Sequence, residues 1–357
     1  MAESNEQPTS APAPSTASEP VAEPVAEPVI EPADQITVDP GFQDGDNDST
    51  LGDDRPLSTA SISATILEYR KLHGRTYHNF KAAEYWGPND EQQNEGLDIN
   101  HHMLNLALDN ELFLAPLKNP QSVLDIGTGT GIWAIDFADE FPEAEVTGID
   151  LSPTQPSWVP PNCKFELDDA SQEWTFPDNT FDYIHIRYLL GCFKDWTTLY
   201  KECFRCLKPG GWLEHLDCST LVQSDDGSLP ADSVWTEWRE AFASISEKTG
   251  QTFEVIDDDK WVKWMDEAGF SNIQTKTIKT PVGGWPADKK WKEVGQFNRL
   301  ALETGLEGFG LYMLTNVMGW EYADVQVWLA RVREALRNRS YHGYSTWGSA
   351  WAQKPEV

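Results

Sequence analysis

Val123 to Asp136 read VLDIGTGTGIWAID, three glycines at alternate positions between an apolar run and a second apolar stretch. The run Ser122 to Ile126 has the continuous apolar character of a strand buried on both faces, and GIWAIDFA that of a helix. The chain must therefore turn within Gly127, Thr128, Gly129, Thr130 and Gly131. Glycine accepts positive φ and carries no Cβ, so a flat ligand can press against main chain there. Two phosphate loops are excluded. A dinucleotide fingerprint, G-x-G-x-x-G/A, needs a small residue where this chain has Ile132, and a Walker loop needs a Gly-Lys-Ser/Thr that does not follow.

An acid followed by three alternating glycines, here Asp125, Gly127, Gly129 and Gly131, with Thr128 inside the loop, resembles motif I of the class I S-adenosylmethionine methyltransferases. Three further stretches stand at the distances that resemblance implies. AEVTGIDLSP reads as a second strand ending in Asp150, followed by Leu151, where a carboxylate is placed to accept both ribose hydroxyls; a solvated strand-end aspartate is the plainer alternative. CKFELDDAS puts Asp168 and Asp169 at the end of a third strand, and the family pattern sets Asp169, ahead of Ala170, beside the adenine amino group. A helix N-cap would explain the same residue. LKPGGWLEHLD resembles the turn into the fifth methyltransferase strand.

The charge is unevenly spread. Of a net charge of -31, residues 1 to 54 hold 13 acids with no Lys or Arg and a single aromatic, Phe42, leaving -18 on the rest. The repeat EPVAEPVAEPVIEP, Glu19 to Pro32, cannot bury enough apolar surface to offset chain entropy, so residues 1–58 are expected to be a disordered acidic tail, neither a secretory signal nor a transit peptide. A helical cap is expected over 59–120 and the catalytic domain over 121–357. A negative domain is a poor direct partner for nucleic acid, and no apolar run reaches the roughly 18 residues a membrane span needs. Five cysteines suit a reducing compartment; the pair Cys203 and Cys206 falls on an apolar helical stripe with Trp196, Leu199, Tyr200 and Leu207, which reads as core, and no metal site is expected.

Strand and helix alternate from 122 to 217, the pattern of a mostly parallel sheet covered on both faces. SPTQPSWVPPN, with four prolines, is expected to be a loop where a helix would ordinarily join the second and third strands. After 217, two helices are expected, the second carrying Trp261, Trp264, Met265 and Ala268 and ending at Gly269. NIQTKTIKT and GYSTWGSAWAQK read as the sixth and seventh strands, the last antiparallel as in the family, with a helical insertion over 285–338 between them.

EYRKLHGRTYHNF, EYWGPNDEQQNEGLDINHHM, IDLSPTQPSWVPPN, FELDDASQEWTF, YIHIRYLLG, DWTTLY and LKPGGWLE, with PVGGWP and LEGFGLYMLTNVMGW further on, together resemble the LaeA-type methyltransferases of filamentous fungi over about residues 64 to 354. The resemblance implies a class I fold with a Rossmann-like seven-stranded sheet and S-adenosylmethionine as cofactor. It implies a link to secondary metabolism, as pathway enzyme or as nuclear regulator in complexes with velvet-type proteins, in nucleus or cytoplasm. The methyl acceptor, protein or small metabolite, is left open.

Methyl transfer from a sulfonium is an in-line displacement, so alignment dominates and a general base is optional. Tyr183, His185 and Arg187 alternate onto one face of the fourth strand, and Arg187, nearest its carboxyl end, is the first candidate for touching cofactor or acceptor. His185 is a second candidate, with a buried, hydrogen-bonded histidine as the alternative. In HGRTYH, Arg75 is expected to meet the methionine carboxylate and Tyr77 to pack beside the sulfonium; a surface helix would explain both equally. Adjacent His101 and His102 would point apart on a helix and so do not make a metal pair.

Overall fold

A computed structural model describes residues 69–79 and 85–356. The expected acidic tail and the first part of the expected cap lie outside the described residues. Arg70–Leu72 (β1) and Arg75–Tyr77 (β2) pair antiparallel across a turn at His73 and Gly74. Where helix was expected throughout the cap, residues 70–77 thus form a hairpin. Its strands are only three residues long, and left-handed φ at His73 (48°) and Gly74 (86°) closes the turn. The helix of this region is Glu91–Ala107 (α1), whose N-cap Asp90 accepts from the Gln93 amide.

Seven further strands form one sheet: Ser122–Ile126 (β3), Glu145–Asp150 (β4), Cys163–Leu167 (β5), Phe181–Arg187 (β6), Leu207–Gln223 (β7), Ser271–Pro281 (β8) and Tyr344–Gln353 (β9). Their order is β5-β4-β3-β6-β7-β9-β8, the first five parallel and β9 antiparallel to both its neighbours. This is the class I methyltransferase topology. Alternation sorts the core into two layers. Val123, Val146, Cys163 and Tyr183 pack under Ile132–Glu140 (α2) through Trp133 and Phe137, whereas Leu124, Ile126, Ile184 and Ile186 face the larger cluster. That cluster takes in Trp196–Cys206 (α3), Val234–Thr249 (α4) and Lys260–Ala268 (α5). Cys203 and Cys206 are buried there on the α3 stripe. Gly269 ends α5 in the left-handed region, φ 102°.

The proline-rich stretch after β4 is a loop. Between β8 and β9 stand Lys289–Tyr312 (α6) and Tyr322–Arg337 (α7), joined through a π-helical turn. Val325, Trp328, Leu329, Val332 and Leu336 are the buried stripe of α7. Among the described residues, no helix is long and apolar enough to cross a membrane.

Candidate functional site

The parallel strands end together, and the turn after β3 opens a cleft there. Gly127, Gly129 and Gly131 all have left-handed φ, 66°, 60° and 80°. Their surroundings differ. A Cβ at Gly127 would strike the Leu189 side chain and one at Gly131 the Phe165 ring, whereas at Gly129 nothing stands closer than Leu97 Cδ1 at 3.5 Å. Gly129 is therefore the position that keeps backbone open to a ligand. Gly131, expected to bind cofactor, is not among the residues lining the cleft; it caps α2 and makes room for Phe165.

Asp125, expected on the cofactor, lines the cleft but spends its carboxylate on the fold: Oδ2 accepts from Thr128 Oγ1 at 2.5 Å and Oδ1 bonds His185 Nδ1 at 2.7 Å. It fixes the shape of the turn. Asp150, at the end of β4, accepts from the Gly129 and Ser152 amides, both at 2.9 Å, and desolvation pushes its carboxyl up to about 6. Leu151, Asp168, Asp169 and Ala170 continue the same wall. Asp169 accepts from Ser171 N and Oγ, which makes it a local cap as well as a cleft residue.

Of the three residues on the β6 face, Tyr183 is in the core and gives its hydroxyl to Glu214 at 3.2 Å. His185 stacks on Trp133 with centroids 3.6 Å apart and does not line the cleft. Burial lowers its imidazole to about 4, against the pull of Asp125. It is held as a buried, hydrogen-bonded histidine, neutral at pH 7 and outside the cleft lining, which favours the alternative to a catalytic role. Arg187 does line the cleft. Burial draws its guanidinium down to about 10, so it keeps its charge at neutral pH, near Asp125, Asp136 and Asp98. Its Nη2 donates to His101 Nδ1 at 3.0 Å, which leaves the ring proton on Nε2 facing Asp136 Oδ2 at 2.9 Å. His102 instead packs edge-on against Phe297.

Arg75 and Tyr77 stand elsewhere. The Arg75 guanidinium holds Asp90 through two bonds, 2.5 and 2.7 Å, with Glu307 of α6 at 3.8 Å. Its charge is consumed by acids 15 and 232 positions away, a pairing no local pattern shows. Tyr77 is buried against Tyr312 of α6, and desolvation pushes its phenol up to about 12. Neither residue lines the cleft.

Several lining residues were not anticipated: Tyr85, Leu97 and Asn100 ahead of the sheet, and Tyr188, Leu189 and Phe193 after β6. The one available signal was the break YLLGC behind an apolar strand, where Tyr188 takes a left-handed φ of 58°. Such strain in a non-glycine residue collects at sites. The cleft holds about 1060 Å³ of empty space, part of it open to solvent. An open glycine backbone, a carboxylate at a strand end and a half-buried cation suit a zwitterionic nucleoside such as S-adenosylmethionine.

A model of the methyltransferase domain matches residues 99–275. Methyltransferase pytC of Aspergillus terreus is 39% identical over 304 residues, 85% of this chain and 93% of that protein. The secondary metabolism regulator LAE1 of Cochliobolus heterostrophus is 35% identical over 80% of this chain and 94% of its own length. The protein-methionine methyltransferase laeA of Emericella nidulans is 32% identical over 81% and 77%. With the sheet order and the glycine turn already in place, these relationships make the chain a member of the LaeA family of methyltransferases linked to fungal secondary metabolism.

Proposed function

We propose that the cleft binds S-adenosylmethionine along the carboxyl ends of β3, β4, β5 and β6, and that the chain is an active methyltransferase. Bound there, S-adenosylmethionine would supply an electrophilic methyl on its sulfonium: an acceptor lone pair would take the carbon, the carbon–sulfur pair would stay on sulfur, and the acceptor's proton would pass to solvent. Asp150 is assigned to the ribose hydroxyls, Asp169 and Ala170 to the adenine edge, Leu151 and Thr128 to the wall, and Arg187 to the methionine carboxylate. His101 and Asp136 orient Arg187.

The observation that carries this reading is Asp150. Its carboxylate sits in the cleft wall, anchored on the Gly129 amide, with burial already disfavouring its charge. A ligand donating hydroxyls would satisfy it. Calorimetry on the full chain is expected to show S-adenosylmethionine and S-adenosylhomocysteine binding, weakened by Asp150→Ala by roughly 1.5 to 3 kcal/mol, the worth of hydrogen bonds to a charged group. Equal affinities would remove Asp150 from the site.

Relatives named as regulators favour a second reading, in which the bound cofactor serves association with velvet-type partners in the nucleus and transfer is weak. Release of labelled methyl from S-adenosylmethionine into the protein or small-molecule fraction of a fungal extract separates the two. Binding without transfer would favour the regulator.

A further inference from the structure

Beside the cofactor cleft lies a second cavity of about 850 Å³ with a different chemistry. The cleft is lined by Asp125, Asp150, Asp168, Asp169 and Arg187, whereas among the described residues no Asp, Glu, Lys, Arg or His lines the second cavity. This is notable in a chain of which 24% is charged. Its walls come from α1, α4, α6, α7 and the ends of β7 and β9, and Trp235, Trp238, Phe309 and Trp347 supply flat apolar surface. Leu97, Asn100 and Tyr188 line both spaces, so the two meet there.

Polarity in the cavity is confined. Asn298 Nδ2 donates to Thr280 O, Pro281 O and Ser345 Oγ, and Ser219 Oγ bonds Asp257 Oδ2, so these donor groups already have partners. Gln93 Oε1 is buried without a partner one turn before Leu97. At the junction, Asn100 is only 8% exposed, and neither its amide nor the Tyr188 hydroxyl has a hydrogen-bond partner among the described residues. Burial pushes the Tyr188 phenol well above its ordinary value, so it remains a hydrogen-bond donor.

We propose that this cavity is the methyl-acceptor site and takes an uncharged small molecule with an apolar, aromatic body, its reacting oxygen or nitrogen held by Asn100 and Tyr188 at the boundary with the cofactor cleft. The assignment rests on the donor-site reading above. A charged acceptor would lose its hydration and find no counter-ion. A polypeptide would bring a run of main-chain amides to walls that offer them few open polar groups, Gln93, Asn100 and Tyr188 among them. Asn100 and Tyr188 act as positioning residues, since neither is a base at neutral pH.

Gly305 provides a clean block. It lines the cavity from α6, and a Cβ there meets nothing within 4 Å, so Gly305→Leu projects into the cavity rather than into the fold. Full-length protein saturated with S-adenosylhomocysteine is titrated calorimetrically with 2-naphthol, neutral at pH 7, its anionic counterpart 2-naphthoate, and N-acetylmethionine methylamide. Naphthol is expected to bind at least tenfold tighter than naphthoate, and Gly305→Leu to weaken naphthol at least tenfold without moving S-adenosylhomocysteine. Comparable naphthoate binding, absence of naphthol binding, or naphthol affinity untouched in Gly305→Leu would overturn the assignment. So would tighter binding of the methionine amide, which would make the acceptor a protein side chain. Failure of wild-type protein to bind S-adenosylhomocysteine would instead sink the donor-site reading itself.

Discussion

Burial acts on Asp150 and His185 in the same sense, toward neutrality, with opposite consequences for pH. The Asp150 carboxyl is raised to about 6, so the protein without ligand takes up a proton there in mild acid. Only the ionised form accepts a ribose hydroxyl on each oxygen with charge assistance, and affinity for S-adenosylmethionine is therefore expected to be flat above pH 7. Below about 6 it should fall by up to about tenfold per pH unit, the limit for one linked proton. Asp150→Asn should be weaker and nearly pH-independent; a variant with the wild-type slope would place the titration on another group. For His185 the folded value, about 4, lies below that of the unfolded chain. Between about pH 6.5 and 4 the unfolded state binds the extra proton, so stability is lost as pH falls through that window, by about 3 kcal/mol in all. Thermal melts of His185→Gln should start lower than wild type at pH 7 and drop less steeply toward pH 5. An unchanged slope would shift the acid sensitivity to His78 and His101, both also lowered by burial.

At the scale of elements, the hairpin β1–β2 is held by what it docks on, since strands of three residues have little stability alone. His73 stacks on Tyr322 of α7, Tyr77 packs against Tyr312, and Arg75 bridges Asp90 and Glu307. Arg75→Ala leaves two acids in a largely buried setting without their cation, and removing one partner of such a pair costs about 3 kcal/mol. The variant should melt several degrees lower yet bind S-adenosylmethionine within about twofold of wild type; a large loss of affinity would return Arg75 to the cofactor. Sequence shows this part of the fold least well. The strands behind Gly127 and Asp150, the loop of four prolines and the α7 stripe were all legible, because each is written within about a dozen neighbouring residues. The hairpin was not, because its reasons lie in α6 and α7. The same holds at the site: the glycine turn and its acids were readable as motif, whereas Asn100, Tyr188 and the aromatic cavity assemble from six elements and have no local signature.

At the scale of the whole molecule, α1 is the part that ties the family's sheet to its added helices. Thr130 Oγ1 of the glycine turn donates to Asp98 at 2.6 Å, Leu97 and Asn100 line both cavities, and Gly96 lies against the backbone of Gly305 on α6. One helix thus sets the wall between donor and acceptor spaces. At Gly96 a Cβ would meet Gly305 N at 3.5 Å and Thr304 Cγ2 at 3.6 Å, ordinary contact distances. Gly96→Ala should therefore be tolerated, and even stabilise by up to about 1 kcal/mol, since glycine inside a helix is unfavourable. Gly96→Leu has no such room: forcing α1 and α6 apart should cost roughly 1–3 kcal/mol, as overpacking does. Because the displaced helix carries residues of both cavities, its binding defects should also appear together. S-adenosylhomocysteine and naphthol affinities are expected to fall in parallel in Gly96→Leu, in contrast to the acceptor-only loss of Gly305→Leu, which fills open space. Calorimetry on the two variants at a temperature where both are folded makes the comparison. If Gly96→Leu lost the acceptor probe alone, α1 would be a wall of the second cavity only, and the cofactor cleft would be organised by the glycine turn without it.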